Sequence, residues 1–450
     1  MSTTDETAAI DGDLEPPVRG RAPHAEFMQI WEEGYLNRRS NYEDMHLPNV
    51  SVYEGGPMRQ EDGKLDRIKI LAYLEAVYGN NPAYRLRLQR SALGLTSPAW
   101  VPDEDFDLSR HVLFADSAVD YATADLRKLA GEGDGAMPIE HPLWRIRVTE
   151  LTDGRVAIGS IGHHSTSDGL TGMRTMSALN QKSPDAPVPA PIDPFAGLRA
   201  PGAWELPGLA LRQWWAALPE PKLRNGWRAY WAKPVHRRAR RVVARNLLPY
   251  RFDRGDRRAQ AVRAALPPRH SAYRRLDAAA VGRNARRLGG TMSDLLISSI
   301  IGAWEGPERI VRLRFPVSFH AVGEPKTRNN VRDMLITGDA DAALEVTMPS
   351  VHAQVADRDR AWDGHEVPGY PIGYGTLLPY LSRPGYFCGG ELLEMTPFPA
   401  SLPTDQLAAA AIMYNGSLFV GANMPVTADV ERTIDRIAEL MSPPPGTDGR

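Results

Sequence analysis

The chain has 450 residues, 42% of them hydrophobic and 24% charged, with a formal net charge of -2 at pH 7. That length suggests two or three domains with sizeable cores, and the near-neutral charge gives no electrostatic footprint for a nucleic-acid partner. A single cysteine, Cys388, excludes an intramolecular disulfide and a cysteine-based zinc site, and makes a reducing compartment the natural expectation.

Residues 1–24 are acidic, small and proline-bearing, without the apolar core of a secretory signal, and read as a disordered lead-in. No uncharged stretch approaches the ~20 apolar residues that span a bilayer, so a cytoplasmic protein is expected, with surface attachment to a membrane left open. "MHLPNVSVYEGG" from Met45 reads as a strand ending in a Gly-Gly turn, and "LDRIKILAYLEAVYGNNPAYRLRLQR" has helical apolar spacing. The polar, proline-broken "WVPDEDFDLSRHV" leads to a helix in "ATADLRKLAGEG". "PLWRIRVTEL", "TDGR" and "VAIGSIG" then make a hairpin whose second strand is apolar on both faces. That strand runs straight into His163 and His164, and after Asp168 and Gly169 the run "LTGMRTMSALNQ" resumes with helical character. A polar loop therefore joins a buried strand to a helix.

Proline is dense from 182 to 203, which predicts an extended linker. From Trp204 to Arg245 come Trp204, Trp214, Trp215, Trp227 and Trp231 with the basic run "KPVHRRARRVVAR". This segment suits a lipid-touching interfacial patch or a grip on CoA phosphates, and equally a crossover helix with packed tryptophans and a solvated basic face. "HSAYRRLDAAAVGRNARRLGGTMSDLLISSIIGAW" predicts a strand and two helices, "ERIVRLRFPVSFH" a strand, "AAAAIMYNGSLFVGANM" a hairpin with an Asn-Gly turn, and "DVERTIDRIAELM" a closing helix. No short internal repeat is visible. The expected units are the lead-in 1–24, an N-terminal unit 25–181, a linker and crossover 182–245, a C-terminal unit 246–441 and a tail 442–450.

Side chains on a strand alternate, so His163 and His164 meet one metal ion only across a sharp turn, and there is no His-Glu-x-x-His pattern. A serine nucleophile elbow needs Gly-x-Ser-x-Gly, whereas Ser160 follows Ile158 and Gly159 in the wrong order. An imidazole that takes a proton from a hydroxyl or amine attacking a carbonyl fits better. In that reading one histidine is the base and its neighbour structural, Asp168 holds the loop, and Gly169 permits a positive φ or a close backbone approach. The competing reading makes Asp168 a helix N-cap and the histidines satisfied core residues; residue chemistry alone leaves both open. Arg145 and Arg147, on the paired strand, either supply a partner for Asp168 or face solvent. Asp294 stands at a predicted helix start, where it suits either capping or a structural role.

"HHSTSDG" fits the HHxxxDG signature of the CoA- and carrier-dependent acyltransferase and condensation superfamily. With "PLW" at 142–144, "MHLPNVSVYEGG" upstream and "DFDLSRHV" between, the chain resembles the bacterial wax ester synthase and acyl-CoA:diacylglycerol acyltransferase family. "LGGTMSDLLISSIIGAW" is similar to that family's Gly-Thr-x-Asn-Asp helix, "RFPVSF" to its next strand and "MYNGSLFVGA" to its late hairpin, so the resemblance runs from about Met45 to Met441. It implies an α/β fold of two chloramphenicol-acetyltransferase-like subdomains in a pseudo-dimeric sandwich, with an active-site tunnel at their interface. It also implies an O-acyltransferase moving an acyl group from acyl-CoA to an alcohol such as a diacylglycerol, a long-chain alcohol or a specialised one. His164 would be the general base, His163 supporting, Asp168 structural and Gly169 a matter of loop geometry, with no metal and no cofactor besides acyl-CoA as donor substrate. Ser293 stands where the family usually has asparagine, and "LSRPGYFCGG" replaces its usual Ser-Asn-Val-Pro-Gly-Pro, departures that put the family's usual acceptor in question and leave room for a specialised one. A carrier-protein-dependent condensation enzyme, a noncatalytic acyl-binding protein, and peripheral contact with a membrane or lipid droplet stay open.

Overall fold

The computed structural model describes residues 21–28, 32, 36, 46–134, 137–166, 172, 173, 176–218, 220–231, 268–318, 331–357, 371–399 and 405–443. The principal strands are β1 (His46–Tyr53), β2 (Val112–Phe114), β3 (Trp144–Glu150), β4 (Val156–His163), β5 (Arg269–Asp277), β6 (Ile310–Ser318), β7 (Val331–Asp339), β8 (Gly373–Pro379), β9 (Tyr386–Phe387), β10 (Gly390–Pro397), β11 (Leu407–Tyr414) and β12 (Ser417–Pro425). The helices that matter to the site are α1 (Arg67–Leu74), α2 (Leu206–Ala216), α3 (Lys222–Trp231), α4 (Ala278–Arg287), α5 (Met292–Gly302), α6 (Leu344–Ala356) and α7 (Val430–Met441).

Two six-stranded mixed sheets result, in the orders β9-β10-β1-β4-β3-β2 and β5-β12-β11-β8-β6-β7. Both contain one four-strand pattern. In the first, β1–β4 and β4–β3 are antiparallel and β3–β2 parallel; in the second, β5–β12 and β12–β11 are antiparallel and β11–β8 parallel. Each copy is then extended by strands of its own, β10 and β9 in the first sheet and the β6–β7 hairpin in the second.

The hairpin before the two histidines forms as its pattern predicts. Ile146, Val148 and Ile158 enter one core cluster and Ile161 and Ala157 pack on the other side, which is why "VAIGSIG" lacks a polar face. Gly159 has a steric cause, since a Cβ there would lie 1.9 Å from the Leu129 carbonyl oxygen. Leu129 belongs to the one-turn helix Leu126–Leu129, capped by the Asp125 carboxylate, and that turn is all that forms of the helix expected in "ATADLRKLAGEG".

In the second sheet, Leu313, Phe315, Met334, Ile336, Ala409 and Ala411 face a core shared with α5 and α7. The α7 stripe Val430, Ile434, Ile437 and Met441 is buried at helical spacing, and each such side chain contributes about 1.5–3 kcal/mol of hydrophobic stabilisation. The opposite face of this sheet meets the N-terminal half. There Ile412, Tyr414 and Phe419 join Tyr53, Ile158 and Met395 in one cluster, so the two halves share a core.

Several expectations change. The helical pattern after Leu65 ends early because Asn81 caps a single turn at Pro82–Tyr84; "LRLQ" at Leu86–Gln89 becomes a strand, with Leu86 and Leu88 buried in alternation. The lead-in is not wholly loose, since Ala22–Pro23 pairs in parallel with Leu198–Arg199 of the proline-rich segment. β9 and β10 lie within the expected C-terminal unit, yet β10 pairs with β1 in the first sheet. β7, β8 and α6 were not anticipated at all. Among the described residues, no helix is long and apolar enough to cross a membrane.

Candidate active site

The site begins where β4 ends. His163 closes the strand with its backbone N–H donating to Leu143 O at 3.0 Å, so the "PLW" segment pins the strand tip. Trp144 is itself locked, its ring stacked on His111 at 4.3 Å and packed on Tyr78 at 4.5 Å, with Nε1–H donating to Tyr84 O at 2.9 Å. The His111 Nδ1 contact to Trp144 O at 2.9 Å completes the clamp, and burial holds the His111 imidazole below its usual value, hence neutral.

His163 is fully buried and committed to the loop. Its Nδ1 receives the Ser165 backbone N–H at 3.2 Å and contacts the Ser165 hydroxyl at 2.6 Å. An amide N–H only donates, so Nδ1 is the acceptor and the ring proton of the neutral imidazole belongs on Nε2. The Thr166 hydroxyl and backbone N–H both close on His163 O, at 2.7 and 2.9 Å, turning the chain. His46, the residue paired with His163 across β1–β4, sets its ring edge-on at 5.9 Å. His164 differs in that it is half-buried. Asp168 and Gly169 lie outside the described residues, as does most of "LTGMRTMSALNQ".

His164 meets charges from the other half. On β6 and β7 the residues alternate, and with Leu313, Phe315, Met334 and Ile336 on the core face, Arg314 and Asp333 fall on the face toward the N-terminal half. Arg314 donates from Nη2 to Asp405 Oδ2 at 2.5 Å, lies 3.9 Å from Asp333 Oδ2 through Nη1, and sits over the Tyr374 ring at 5.7 Å. Burial pushes the Asp333 carboxyl above its ordinary range, Arg314 and the His164 imidazole pull it back, and Asp405 adds to the rise. His164 is thus one of the three charges that act on Asp333. Sequence reasoning missed His46, Ser165, Arg314, Asp333 and Asp405; the one available signal was a pair of arginines, Arg312 and Arg314, alternating with apolar residues along one strand.

The remaining expected residues fall into place as structure. Arg147 pairs with Asp134, its Nε donating to Oδ2 at 2.9 Å. Asp294 takes the N3 position of a capping box on α5. Its Oδ2 accepts from the Thr291 backbone and hydroxyl, both at 2.8 Å, while its own N–H donates to Thr291 Oγ1 at 3.2 Å. His352 Nδ1 on α6 adds a contact to the same oxygen at 2.8 Å. Ser293 lies on the same helix. Burial pushes the Cys388 thiol up to about 12, which makes it a poor nucleophile. No group of three or more metal-ligating side chains occurs among the described residues.

Comparisons with known proteins agree on the family. The profile of the wax ester synthase/diacylglycerol acyltransferase catalytic domain matches residues 31–295. A Mycobacterium tuberculosis protein named as a diacylglycerol O-acyltransferase is 32% identical over 234 residues, covering 49% of this chain and 47% of that protein. A second protein of that organism, also so named, is 27% identical over 286 residues, covering 57% of this chain and 52% of its own length. The chain thus spans about half the length of the curated relatives it matches. Among solved structures, the wax ester synthase/diacylglycerol acyltransferase from Marinobacter aquaeolei VT8 superposes with a TM-score of 0.57 at 17% identity, covering 92% of this chain and 98% of that one. The first condensation domain of the calcium-dependent antibiotic synthetase gives 0.55 at 14% identity over 94% and 97% of the two chains. Both likenesses concern the fold, a mixed α/β architecture of two subdomains. With its profile match running over more than half of the chain, the protein belongs to the wax ester synthase/diacylglycerol acyltransferase catalytic-domain family.

Proposed function

We propose that the protein transfers an acyl group from acyl-CoA to an alcohol, with His164 as the general base. One observation supports the choice between the two histidines: His163 is fully buried with Nδ1 taken up by Ser165, whereas His164 is only half-buried. In this reading His164 takes the acceptor's hydroxyl proton as the oxygen attacks the thioester carbonyl. The resulting oxyanion collapses, the C–S bond breaks, and the imidazolium returns the proton to the leaving thiolate. No covalent enzyme intermediate is required. Asp168 and Gly169 would shape the loop, and the "LSRPGYFCGG" departure points to a specialised alcohol.

The test is release of free thiol from a panel of acyl-CoA donors, with and without alcohols including diacylglycerol, for the wild type and His164→Ala. Acceptor-dependent release that collapses in the variant supports the reading. Release only from a loaded carrier protein would move the chain to the condensation type, and acyl binding without turnover in either protein would make it a binding protein.

We further propose that the acceptor is met at a lipid surface through α2 and α3. Leu211 is 63% and Trp227 67% exposed, with Trp214, Trp215 and Leu223 also open and the exposed Arg212 and Arg224 among them. Tryptophan suits the boundary between polar and apolar phases, and arginine suits anionic headgroups. Co-sedimentation with anionic vesicles, lost with neutral phosphatidylcholine alone or in a Trp214→Ala/Trp215→Ala variant, is expected; indifference to both changes would refute the contact.

A further inference from the structure

The small antiparallel hairpin of Leu86–Gln89 and Ala99–Pro102 ends in a tip that the core does not need. Its base is well anchored, with Ala99 and Val101 packed against Leu206 of α2. The buried Ser91 hydroxyl braces the tip, accepting from the Thr96 backbone N–H at 2.9 Å and donating to Thr96 O at 3.3 Å. Hydrogen bonds from Gly94 N–H to Ser91 O at 3.0 Å and from Leu95 N–H to Ala92 O at 3.2 Å tighten the turn. Within it Leu93 is held at φ 53° and ψ 13°, where its Cβ crowds the following carbonyl oxygen and glycine or asparagine would be the unstrained choice. Leu93 is nonetheless 72% exposed and Leu95 56%, so neither leucine offsets that strain by filling a core. The Ala92 N–H donates to Ala203 O at 2.9 Å, which sets Trp204, itself 72% exposed, beside the tip.

Three large apolar side chains gathered outward on a braced loop mark a contact with an apolar phase, and the charges around them indicate which one. Arg90 at the foot of the tip and Arg212 on α2 are exposed. The acidic neighbour, Glu205, is engaged by Arg199 through both oxygens, at 3.0 and 2.7 Å, and beyond it Arg21 pairs with Glu104 at 3.8 Å. An apolar point within a net positive surround matches anionic headgroups laid over acyl chains. Trp204 also leads directly into α2, so the tip continues the surface assigned above to lipid contact. We propose that Leu93, Leu95 and Trp204 form an insertion tip that passes the headgroups of an anionic lipid surface and enters its acyl-chain layer, fixing how α2 lies on it. The inference rests on the lipid-surface reading above and assigns the deepest apolar anchor to different side chains.

The test measures partitioning of the full chain onto vesicles of phosphatidylglycerol and phosphatidylcholine, at low salt and at salt high enough to screen headgroup attraction. Asparagine tolerates the left-handed backbone, so Leu93→Asn/Leu95→Asn should keep its Tm while partitioning falls about tenfold or more, with binding in high salt lost. Leu93→Gly gives a second reading: Tm held or raised as the strain is relieved, with weaker partitioning, whereas a leucine kept for folding would lower Tm. A fluorescent NBD probe on Leu95→Cys, with the native Cys388 buried, should shift to the blue on binding and be quenched by lipids brominated in their acyl chains. Unchanged partitioning of the asparagine variant, or a probe that stays in water on the bound protein, overturns the proposal. A wild type indifferent to vesicles overturns both this and the lipid-surface reading, and an oligomer dissociated by the asparagine variant would then assign the tip to a second copy of the chain. Binding lost in the tip variant but kept in Trp214→Ala/Trp215→Ala would defeat the α2 contact and leave the tip standing; the converse would do the reverse.

Discussion

The same hairpin and the same exit are used twice in this molecule, for different ends. In the first sheet β3 and β4 form an antiparallel pair whose second strand runs into His163, His164, Ser165 and Thr166. In the second sheet β11 and β12 occupy the matching place, and β12 runs through Pro425 to Asp429, whose carboxylate accepts from the Arg432 backbone N–H and caps α7. The C-terminal copy is thus the plain arrangement in which an aspartate after a buried strand serves only to start a helix. The N-terminal copy has two imidazoles there instead, one locked by Ser165 and one half-buried. Topology does not make a site; side chains placed on one of two equivalent exits do.

The comparison can be broken at its sharpest point first. His164→Ala should lower thiol release by about a hundredfold or more, on the order of 3 kcal/mol of transition-state stabilisation, with Tm nearly unchanged because a half-buried side chain at a turn adds little packing. Loss of stability without specific loss of rate would put the N-terminal exit in the same class as the C-terminal one. The matching change, Asp429→Ala, should do the opposite: a drop of about 1 kcal/mol in unfolding free energy by denaturant titration, with the kinetic constants of the remaining folded protein intact. A rate defect there would show that the two exits are not separable.

A smaller effect sharpens the role of Asp333. Its folded carboxyl is raised above the ordinary range, chiefly by burial. The folded state therefore holds the proton more tightly than the unfolded chain, and keeping Asp333 ionised costs stability once pH exceeds that raised value. Asp333→Asn removes the charge, so its Tm should exceed the wild-type value at pH 7. The gain should shrink toward zero as pH falls and the wild-type carboxyl becomes protonated. A gain at neutral pH that fades in acid would show burial to dominate at Asp333; a variant less stable at every pH would mark it as a structural ion-pair member of the Arg314–Asp405 group.

Much of the site was legible because its parts are local in the chain. The β3–β4 hairpin shows as alternation around "TDGR", and the Asn415-Gly416 turn, with φ of 41° and 79°, follows from the residues that tolerate positive φ. The α7 stripe and its Asp429 cap are spelled out at fixed spacing. The segments read wrongly were those where a short polar break outweighs periodicity, as at Asn81-Pro82, or where nothing in the neighbourhood signals the partner. β10 reads as an ordinary strand; only its pairing with β1, more than 330 residues away in sequence, reveals that it completes the other sheet. The repeat of the four-strand pattern was invisible because it is a repeat of hydrogen-bond order and not of residues.

The sequence by itself determined the β4 exit, the pair of histidines on it, the family, and the elements whose caps and turns lie within a few residues of each other. These rest on interactions between near neighbours, where spacing dictates geometry. The tertiary structure alone decided that His163 is fully buried and held by Ser165 while His164 is half-buried. It also decided that Arg147 belongs to Asp134 and Asp294 to the α5 cap, and that Arg314 meets Asp405 and Asp333. Charge acts through space, and Arg314, Asp333 and Asp405 come from strands and a loop that only the tertiary fold brings together.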